Sequence, residues 1–146
     1  MQNIVITGAS SGIGLATAKL FVKKGYQVYC LSRRPCDLKK VISIKCDITD
    51  EQQVKEAFEQ IPEIDVLLNN AGYGISGATE FTELSEMRNQ FELNVFAHMI
   101  VTKAALPKLK ESKGKIIFIS SAAALFAIPF QAFYSATKAA IEALAA

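Results

Sequence analysis

The chain has 146 residues, of which 51% are hydrophobic, and its 16 basic and 14 acidic residues give a net charge of +2. This size suits a single globular domain over residues 1–146 and is too small for two domains of ordinary size. The charges are spread along the chain, which argues against nucleic acid as a partner. No apolar stretch approaches the roughly 18 residues of a membrane span, so we expect these residues to be soluble, with no membrane as a partner.

Short β-branched runs alternate with longer stretches of helical period, which is typical of an α/β fold with a doubly wound parallel sheet and helices on both faces. Each run is continuous enough in Ile, Val, Leu or Phe to be a buried strand. The predicted strands are residues 3–7, 27–32, 41–45, 64–69 and 115–120.

The helical stretches lie between these strands. The first covers 12–24 and is stopped by Gly25, and the second begins at Thr49 or Asp50 and ends before Pro62. The link over 33–40 is short and is predicted as a turn. Residues 82–110 read as a helix in a short and a long piece, which Pro107 is expected to bend or end. A last helix starts near Gln131.

The three cysteines are odd in number and form neither a CxxC pair nor a Cys/His cluster. A disulfide framework and a metal site are therefore not expected, and reduced thiols fit the cytoplasm. Cys30 lies in an apolar segment and is expected in the core. Cys36, which follows Pro35, is expected at the surface.

A glycine-rich segment, Thr7-Gly8-Ala9-Ser10-Ser11-Gly12-Ile13-Gly14, directly follows the first strand and opens the first helix. A dinucleotide-binding loop belongs at this place. Gly8 allows the tight turn, Gly12 allows close approach of a pyrophosphate, and Gly14 allows the helix to pack on the strand. Such turns also occur for purely structural reasons.

Tyr134 and Lys138 are four residues apart in the last helix, so their side chains share one face. A nearby cation favours the phenolate form of a tyrosine. Ser121 lies upstream and can hold a substrate oxygen. This set of groups suggests proton-coupled chemistry on a carbonyl or an alcohol.

The glycine loop, Asn69-Asn70-Ala71-Gly72 and the YxxxK pair together resemble the short-chain dehydrogenase/reductase family, from about residue 3 to the last residue. The resemblance implies a Rossmann-like fold and an oxidoreductase that moves hydride between a nicotinamide and a carbonyl or secondary alcohol. It implies that Tyr134 is the acid/base, that Ser121 rather than Ser120 orients the substrate oxygen, and that Asn94 holds a water linking Lys138 to solvent. The implied cofactor-binding residues are Gly8, Ser10, Ser11, Gly12, Ile13, Gly14, Arg33, Arg34, Asp47, Asn70, Ala71, Gly72, Tyr134 and Lys138.

The end of the second strand bears on the choice of cofactor. An acidic side chain there would select NAD, because it binds the ribose 2′-hydroxyl and repels a 2′-phosphate. This chain has Ser32-Arg33-Arg34 instead. A guanidinium pairs with a phosphate through a forked, charge-assisted contact, which favours NADP, with Arg33 ahead of Arg34. A solvated basic turn is the alternative.

The roles of several residues have two possible interpretations. Asp47 resembles the acidic residue beside the adenine ring or caps a turn, and Asn70 binds the cofactor or ties neighbouring strands. His98, the single histidine, is expected to pack or to lie at the surface rather than to catalyse. The phenylalanines Phe126, Phe130 and Phe133 either line a pocket for an apolar substrate or belong to the core and rim.

Family members continue beyond the YxxxK helix, so the resemblance implies a C-terminally truncated domain with an unpaired strand edge near residues 116–119. It also implies a homo-oligomer for a full-length form. The alternative to an NADP-dependent enzyme is a catalytically silent dinucleotide-binding or interaction module.

Overall fold

The computed structural model describes residues 1–146 and contains five strands. They are β1 (Asn3–Thr7), β2 (Gln27–Ser32), β3 (Val41–Lys45), β4 (Val66–Asn69) and β5 (Lys115–Phe118). All pairs are parallel, and the order across the sheet is β3-β2-β1-β4-β5. The predicted doubly wound α/β fold is thereby confirmed. The bounds of β1, β2 and β3 match the prediction, whereas β4 begins two residues later and β5 ends two residues earlier.

Five α-helices connect or follow the strands. They are α1 (Gly12–Lys23), α2 (Glu51–Glu59), α3 (Leu84–Phe91), α4 (Ala97–Ser112) and α5 (Ala132–Ala145). Asp50 caps α2, because its carboxylate accepts hydrogen bonds from the backbone N–H groups of Gln52 and Gln53 at 3.0 and 3.1 Å. The bonds from Gln53 and Gln52 lower the pKa of Asp50. None of these helices is both long and apolar enough to cross a membrane.

The sheet is covered on both faces, since alternate residues of each buried strand point to opposite sides. On one face, Ile4 and Ile6 of β1 pack with Ala18 of α1. On the other face, Val5 belongs to the cluster that includes α2 and Val101 of α4. β1 is fully buried, and it lies at the centre of both layers.

The chain reverses its direction of winding at β1, which pairs with β2 on one side and with β4 on the other. The loops after β1 and β4 therefore diverge to opposite faces of the sheet. In open α/β sheets, ligands bind in the crevice that this divergence opens outside the carboxyl ends of the strands. The glycine-rich segment follows β1, and Asn70 and Ala71 follow β4, so both lie at this crevice.

Pro107 was expected to bend or end the long helix; it does not end it, since α4 includes Pro107 and continues to Ser112, and a bend stays a prediction. A proline inside a helix removes its own N–H donor, and its ring crowds the carbonyl group four residues earlier. Val101, Ala105 and Leu109 are buried along one side of α4. This apolar packing on the sheet holds the helix together across the proline.

The expected surface position of Cys36 is also wrong, because this residue is 6% exposed. Its Sγ donates to the carbonyl oxygen of Ala9 at 3.3 Å, and its backbone N–H donates to Ser43 Oγ at 3.0 Å. These two contacts hold Cys36 against Ala9 of the glycine loop and Ser43 of β3. Cys30 is fully buried, as predicted, and all three cysteines are free thiols.

β5 is an outer strand that pairs only with β4. Ile116 and Ile117 are 36% and 41% exposed on it. The predicted unpaired edge is therefore confirmed, whereas the expectation that each strand is buried is wrong for the two outer strands, β3 and β5, which are covered by a neighbouring strand on one side only.

Candidate active site

One cavity of about 640 Å³ lies at the carboxyl ends of the strands. Its lining includes the glycine loop, the segment after β4, and Tyr134 and Lys138 of α5. This volume lies in the range of small-molecule and cofactor sites. The fold thus brings the predicted nucleotide loop and the predicted acid/base pair, which are more than a hundred residues apart in sequence, to one cavity.

The glycine loop presents an anion site at the first turn of α1. Ser11 precedes this helix in an extended conformation, no side chain caps the first turn, and the turn contains no acidic residue. Gly12 has a φ of +56°, and a Cβ atom built there would meet nothing within 4 Å. Open space beside uncapped N–H groups at a helix N-terminus fits the pyrophosphate of a dinucleotide.

The loops after β1 and β4 hold each other in place. Thr7 Oγ1 accepts hydrogen bonds from the backbone N–H groups of Asn70 and Ala71 at 3.0 and 3.1 Å. Asn70 Nδ2 donates back to the carbonyl oxygens of Thr7 and Gly8 at 3.0 and 3.3 Å. A Cβ atom on Gly8 would lie 2.8 Å from Ala71 Cα, so this close approach requires glycine. Asn70 therefore ties the strands together and lines the cavity as well.

Tyr134 and Lys138 share one face of α5, as their spacing predicts. Lys138 is 5% exposed, its Nζ lies 5.8 Å from the centroid of the Tyr134 ring, and it donates to the carbonyl oxygen of Ile119 at 2.8 Å. Burial lowers the pKa of Lys138. On the other side, a Cβ atom at Gly74 would lie 3.1 Å from Tyr134 Cδ2, so the backbone at Gly74 packs directly against the ring.

Asn94 is fully buried in a π-helical turn, Glu92–Phe96, between α3 and α4. Its Oδ1 accepts from the N–H of Tyr73 at 3.0 Å, and its Nδ2 donates to the carbonyl oxygen of Tyr73 at 2.7 Å and to Thr137 Oγ1 at 3.2 Å. The side-chain amide thus ties the loop after β4 to α5. Its role in holding a water for Lys138 stays a prediction.

The family model described as short chain dehydrogenase matches residues 2–146. The chain belongs to the short-chain dehydrogenase family. The glycine loop, the segment after β4 and the YxxxK pair that carried the resemblance are the three parts that meet at the cavity.

Named relatives of this short-chain dehydrogenase support the assignment. The 3-ketodihydrosphingosine reductase of Bacteroides thetaiotaomicron is 44% identical over 97% of this chain and 55% of its own length. The NADPH-dependent 3-dehydrocapnine reductase of Ornithobacterium rhinotracheale is 36% identical over 99% of this chain and 58% of its own. The chain spans about half the length of the curated relatives it matches.

Solved structures give the same fold. The ligand-free aldohexose dehydrogenase of Thermoplasma acidophilum superposes with a TM-score of 0.94 at 34% identity, over 98% of this chain and 58% of that one. A Streptomyces avermitilis short-chain dehydrogenase gives a TM-score of 0.91 at 35% identity, over 98% and 57% of the two chains.

Ser120 and Ser121 are neighbours in sequence, but only one of them lines the cavity. Ser120 lines the cavity, and its Oγ is buried without a hydrogen-bond partner. Ser121 is not part of the lining. Its Oγ accepts from the N–H of Ala123 at 3.1 Å and caps a short 3₁₀ turn, Ala122–Ala124. Of the four predicted catalytic residues, Tyr134 and Lys138 therefore line the cavity, whereas Ser121 and Asn94 lie outside its lining.

The predicted adenine end of the cavity contains Arg33, Arg34 and Asp47. Both arginines are exposed. Asp47 Oδ1 accepts from the backbone N–H and the hydroxyl of Thr49 at 3.0 and 2.7 Å. Asp47 therefore caps a turn and lines the cavity, so its two predicted positions are compatible.

His98 is 2% exposed, which agrees with the packing role expected for it. Its Nε2 lies 2.7 Å from the carbonyl oxygen of Ala71, which identifies this nitrogen as the N–H donor. Burial lowers the pKa of His98 to about 4, with a further lowering from the charge of Lys138. A neutral His98 thus holds the loop after β4 in place through its hydrogen bond to Ala71.

Sequence reasoning missed three residues that shape the site: Thr7, Gly74 and Thr137. Thr7 directly precedes Gly8 in the glycine-rich segment, and Thr137 directly precedes Lys138 in the YxxxK pair. The spacing of residues in the sequence does not show that these two hydroxyls form hydrogen bonds with distant segments. Thr137 Oγ1 donates to the carbonyl oxygen of Tyr134 at 2.7 Å and accepts from Asn94. For Gly74, the only sequence signal was a glycine shortly after the Asn-Asn-Ala-Gly segment.

Proposed function

We propose that this short-chain dehydrogenase is an NADP-dependent oxidoreductase that interconverts a carbonyl compound and a secondary alcohol, with Tyr134 as the acid/base. The observation that carries the proposal is the single cavity that contains the glycine loop together with Tyr134 and Lys138. A nucleotide site alone would not require a buried lysine beside a tyrosine.

The cofactor residues follow from the lining of the cavity. The uncapped first turn of α1, with Ser10, Ser11, Gly12, Ile13 and Gly14 at or before it, is suited to the pyrophosphate. Asp47, Asn70, Ala71 and Gly72 also line the cavity, which supports Asp47 as the residue beside the adenine and the other three as contacts of the remaining dinucleotide. When bound, the nicotinamide supplies or accepts the hydride.

The proton chemistry belongs to the chain itself. In the reductive direction Tyr134 donates its hydroxyl proton to the carbonyl oxygen as the alcohol forms. The cationic form of Lys138 stabilises the phenolate that remains. The resemblance to the family assigns the orientation of the same oxygen to Ser121, and its hydroxyl can donate because its Oγ accepts from the N–H of Ala123 while its hydrogen has no protein acceptor. Asn94 keeps Tyr73 against this site.

The preference for NADP rests on Arg33 and Arg34. Both guanidinium groups are exposed at the end of β2 and line the cavity. No acidic side chain stands in the position that would repel a 2′-phosphate, and arginine pairs with phosphate in a forked geometry. The printed name of the Ornithobacterium relative, an NADPH-dependent reductase, is consistent with this preference.

The test compares binding with turnover. Calorimetric titration with NADPH and NADH should give tighter binding of NADPH, and NADPH oxidation with a panel of ketones and aldehydes should give turnover by the full-length gene product. Equal or tighter binding of NADH contradicts the cofactor assignment. Binding of NADPH without turnover of any carbonyl compound supports the alternative of a silent dinucleotide-binding module.

A homo-oligomer is proposed for the full-length form on the resemblance to the family alone. Light scattering after size-exclusion chromatography measures this directly, and a monomer at micromolar concentration contradicts it.

A further inference from the structure

Two of the three free cysteines lie on the same face of the sheet. Cys30, on β2, is fully buried, and Cys36, in the link between β2 and β3, is 6% exposed. Both belong to the core cluster that packs between α1 and the sheet. Cys46 belongs to the cluster on the opposite face, so the sheet separates it from the other two.

Ser43 of β3 places the two cysteines beside each other. It is the register partner of Cys30 in the parallel pair of β2 and β3, and register partners point to the same face of a sheet. The backbone N–H of Cys36 donates to Ser43 Oγ at 3.0 Å. Cys36 is therefore held next to Cys30. Disulfides join residues whose Cα atoms are roughly 4.4–6.8 Å apart, which is the spacing of neighbouring positions on such a surface.

The thiol of Cys30 responds to this neighbour. Burial raises the pKa of Cys30, and a hydrogen bond with Cys36 and the charge of Cys36 raise it further. Cys30 therefore stays protonated at neutral pH, and the thiolate is the form that reacts with an oxidant. Cys36 is also the more exposed of the two, so it is the thiol that meets an oxidant first.

Cys36 is connected to the proposed cofactor site in two ways. Its Sγ donates to the carbonyl oxygen of Ala9 in the glycine-rich segment at 3.3 Å. The short stretch of chain from Cys30 to Cys36 also contains Arg33 and Arg34, which line the cavity. The link that carries Cys36 has no helix or strand. A covalent bond between the two sulfurs would therefore act on the glycine loop and on both arginines.

We propose that Cys30 and Cys36 form a reversible disulfide when the protein meets a hydroperoxide, and that this bond weakens the binding of NADPH. The second half of the inference rests on the proposed function, whereas formation of the disulfide does not depend on the cofactor. Cys30 is fixed in a strand that is paired on both sides, so Cys36 is the residue that moves. Its sulfur then no longer donates to Ala9.

The reaction balances with hydrogen peroxide as the oxidant. The thiolate of Cys36 attacks one peroxide oxygen, the O–O bond breaks, hydroxide leaves and a sulfenic acid forms. The sulfur of Cys30 then attacks the sulfenic sulfur, the S–O bond breaks, and the oxygen leaves as water with the proton of Cys30. In total the two thiols lose two electrons and two protons, and the peroxide becomes two water molecules.

The first experiment treats the reduced full-length gene product with hydrogen peroxide and locates the bond by mass spectrometry of tryptic peptides. Cys30, Cys36 and Cys46 lie in three different tryptic peptides, which are residues 25–33, 34–39 and 46–55. A linked pair of 25–33 and 34–39 that separates on addition of dithiothreitol is expected. Absence of this pair at peroxide concentrations that leave the protein folded contradicts the disulfide.

The second experiment compares the Kd for NADPH of the reduced and oxidised proteins by calorimetry. Oxidation should raise this Kd by up to about tenfold, as expected for the loss of one hydrogen bond, and dithiothreitol should restore it. An unchanged Kd in a protein that contains the linked peptides contradicts the effect on the cofactor site. Failure of the reduced protein to bind NADPH contradicts the proposed function and this effect with it, whereas linked peptides would still support the disulfide.

Two cysteine variants assign the effect to this pair. Cys36→Ser cannot form the disulfide but keeps a hydroxyl that can donate to Ala9, so its Kd for NADPH should stay at the value of the reduced wild type after peroxide treatment. Cys46→Ala is the matched control on the opposite face and should form the linked peptides as the wild type does. A peroxide-dependent rise of the Kd in Cys36→Ser contradicts the proposal, since another oxidised group would then cause it.

Discussion

The loops that follow β1 and β4 are fixed to each other by hydrogen bonds, whereas the segment that follows β5 leaves apolar side chains in solvent. Thr7, Asn70 and the close contact of Gly8 with Ala71 form a closed network on the nucleotide side of the cavity. On the side proposed to face the substrate, β5 is an outer strand in residues 1–146 and Phe126 is 73% exposed. Substitutions within this network should therefore act mainly through folding, whereas substitutions of groups that would contact cofactor or substrate should act mainly through affinity and kinetics.

The serine pair tests the substrate side with the largest expected effect. Ser121→Ala should lower kcat by about 100-fold or more, which is the usual result of losing one donor to a developing oxyanion. Ser120→Ala is the matched control and should lower kcat less than about tenfold. Steady-state kinetics on both variants decides the assignment, and a larger loss in Ser120→Ala would give the role to Ser120, which is the serine of the pair that lines the cavity.

Two glycines test the nucleotide side. Gly8→Ala should lower the free energy of unfolding by about 3 kcal/mol, because a Cβ there clashes with Ala71 in addition to the cost of its positive φ. Gly12→Ala should lower the free energy of unfolding by only about 1 kcal/mol, which is the cost of a positive φ for alanine, since nothing lies within 4 Å of a Cβ atom there.

The affinity for NADPH should fall in Gly12→Ala even though the fold is retained, because the added methyl group occupies the space expected for the pyrophosphate. Chemical denaturation and calorimetry measure the two effects separately. Full NADPH affinity in a folded Gly12→Ala protein would contradict the position of the cofactor.

Arginine substitutions test whether a positive charge in the cavity selects NADPH over NADH. Arg33→Ala should raise the Kd for NADPH about 10- to 100-fold, as expected for a charge-assisted hydrogen bond, and should leave the Kd for NADH nearly unchanged. Arg88→Ala, at the exposed third arginine on α3, is the control and should change neither value. Equal effects of Arg33→Ala on both cofactors would remove the argument for a 2′-phosphate site.

The pH dependence of stability tests how firmly the loop after β4 is anchored. Burial lowers the pKa of His98 to about 4 from its ordinary value of 6.5, so between these values the unfolded chain binds a proton that the folded chain does not. Stability present above pH 6.5 is therefore lost as the pH falls towards 4, by up to about 1.4 kcal/mol per pH unit.

His98→Gln retains an N–H donor for Ala71 without the titration, so its stability should fall less steeply over the same pH range. Urea denaturation of both proteins at several pH values gives the two slopes. Identical slopes would show that His98 does not contribute to the loss of stability.

The sequence predicted most of the elements because their signals are local. Runs of β-branched and other apolar residues predicted the bounds of β1, β2 and β3, although β3 is largely exposed. The spacing of Tyr134 and Lys138 placed both on one face of α5. Contacts between distant loops leave no such periodicity. The cross-loop bonds of Thr7 and Thr137, the packing of Gly74 on Tyr134 and the burial of Cys36 could not be read from the chain for this reason. Pro107 does not end α4, because the packing of the helix on the sheet outweighs the local cost of proline.

We propose that one cavity contains both the dinucleotide site and the acid/base Tyr134. The most direct test measures NADPH binding and turnover in the same variant. Tyr134→Phe removes only the hydroxyl and should lower kcat by about 100- to 10,000-fold, with the Kd for NADPH unchanged within about twofold. Tyr26→Phe, at a tyrosine that packs on Phe21 outside the cavity, is the matched control and should behave as wild type. Full activity in Tyr134→Phe would contradict the account.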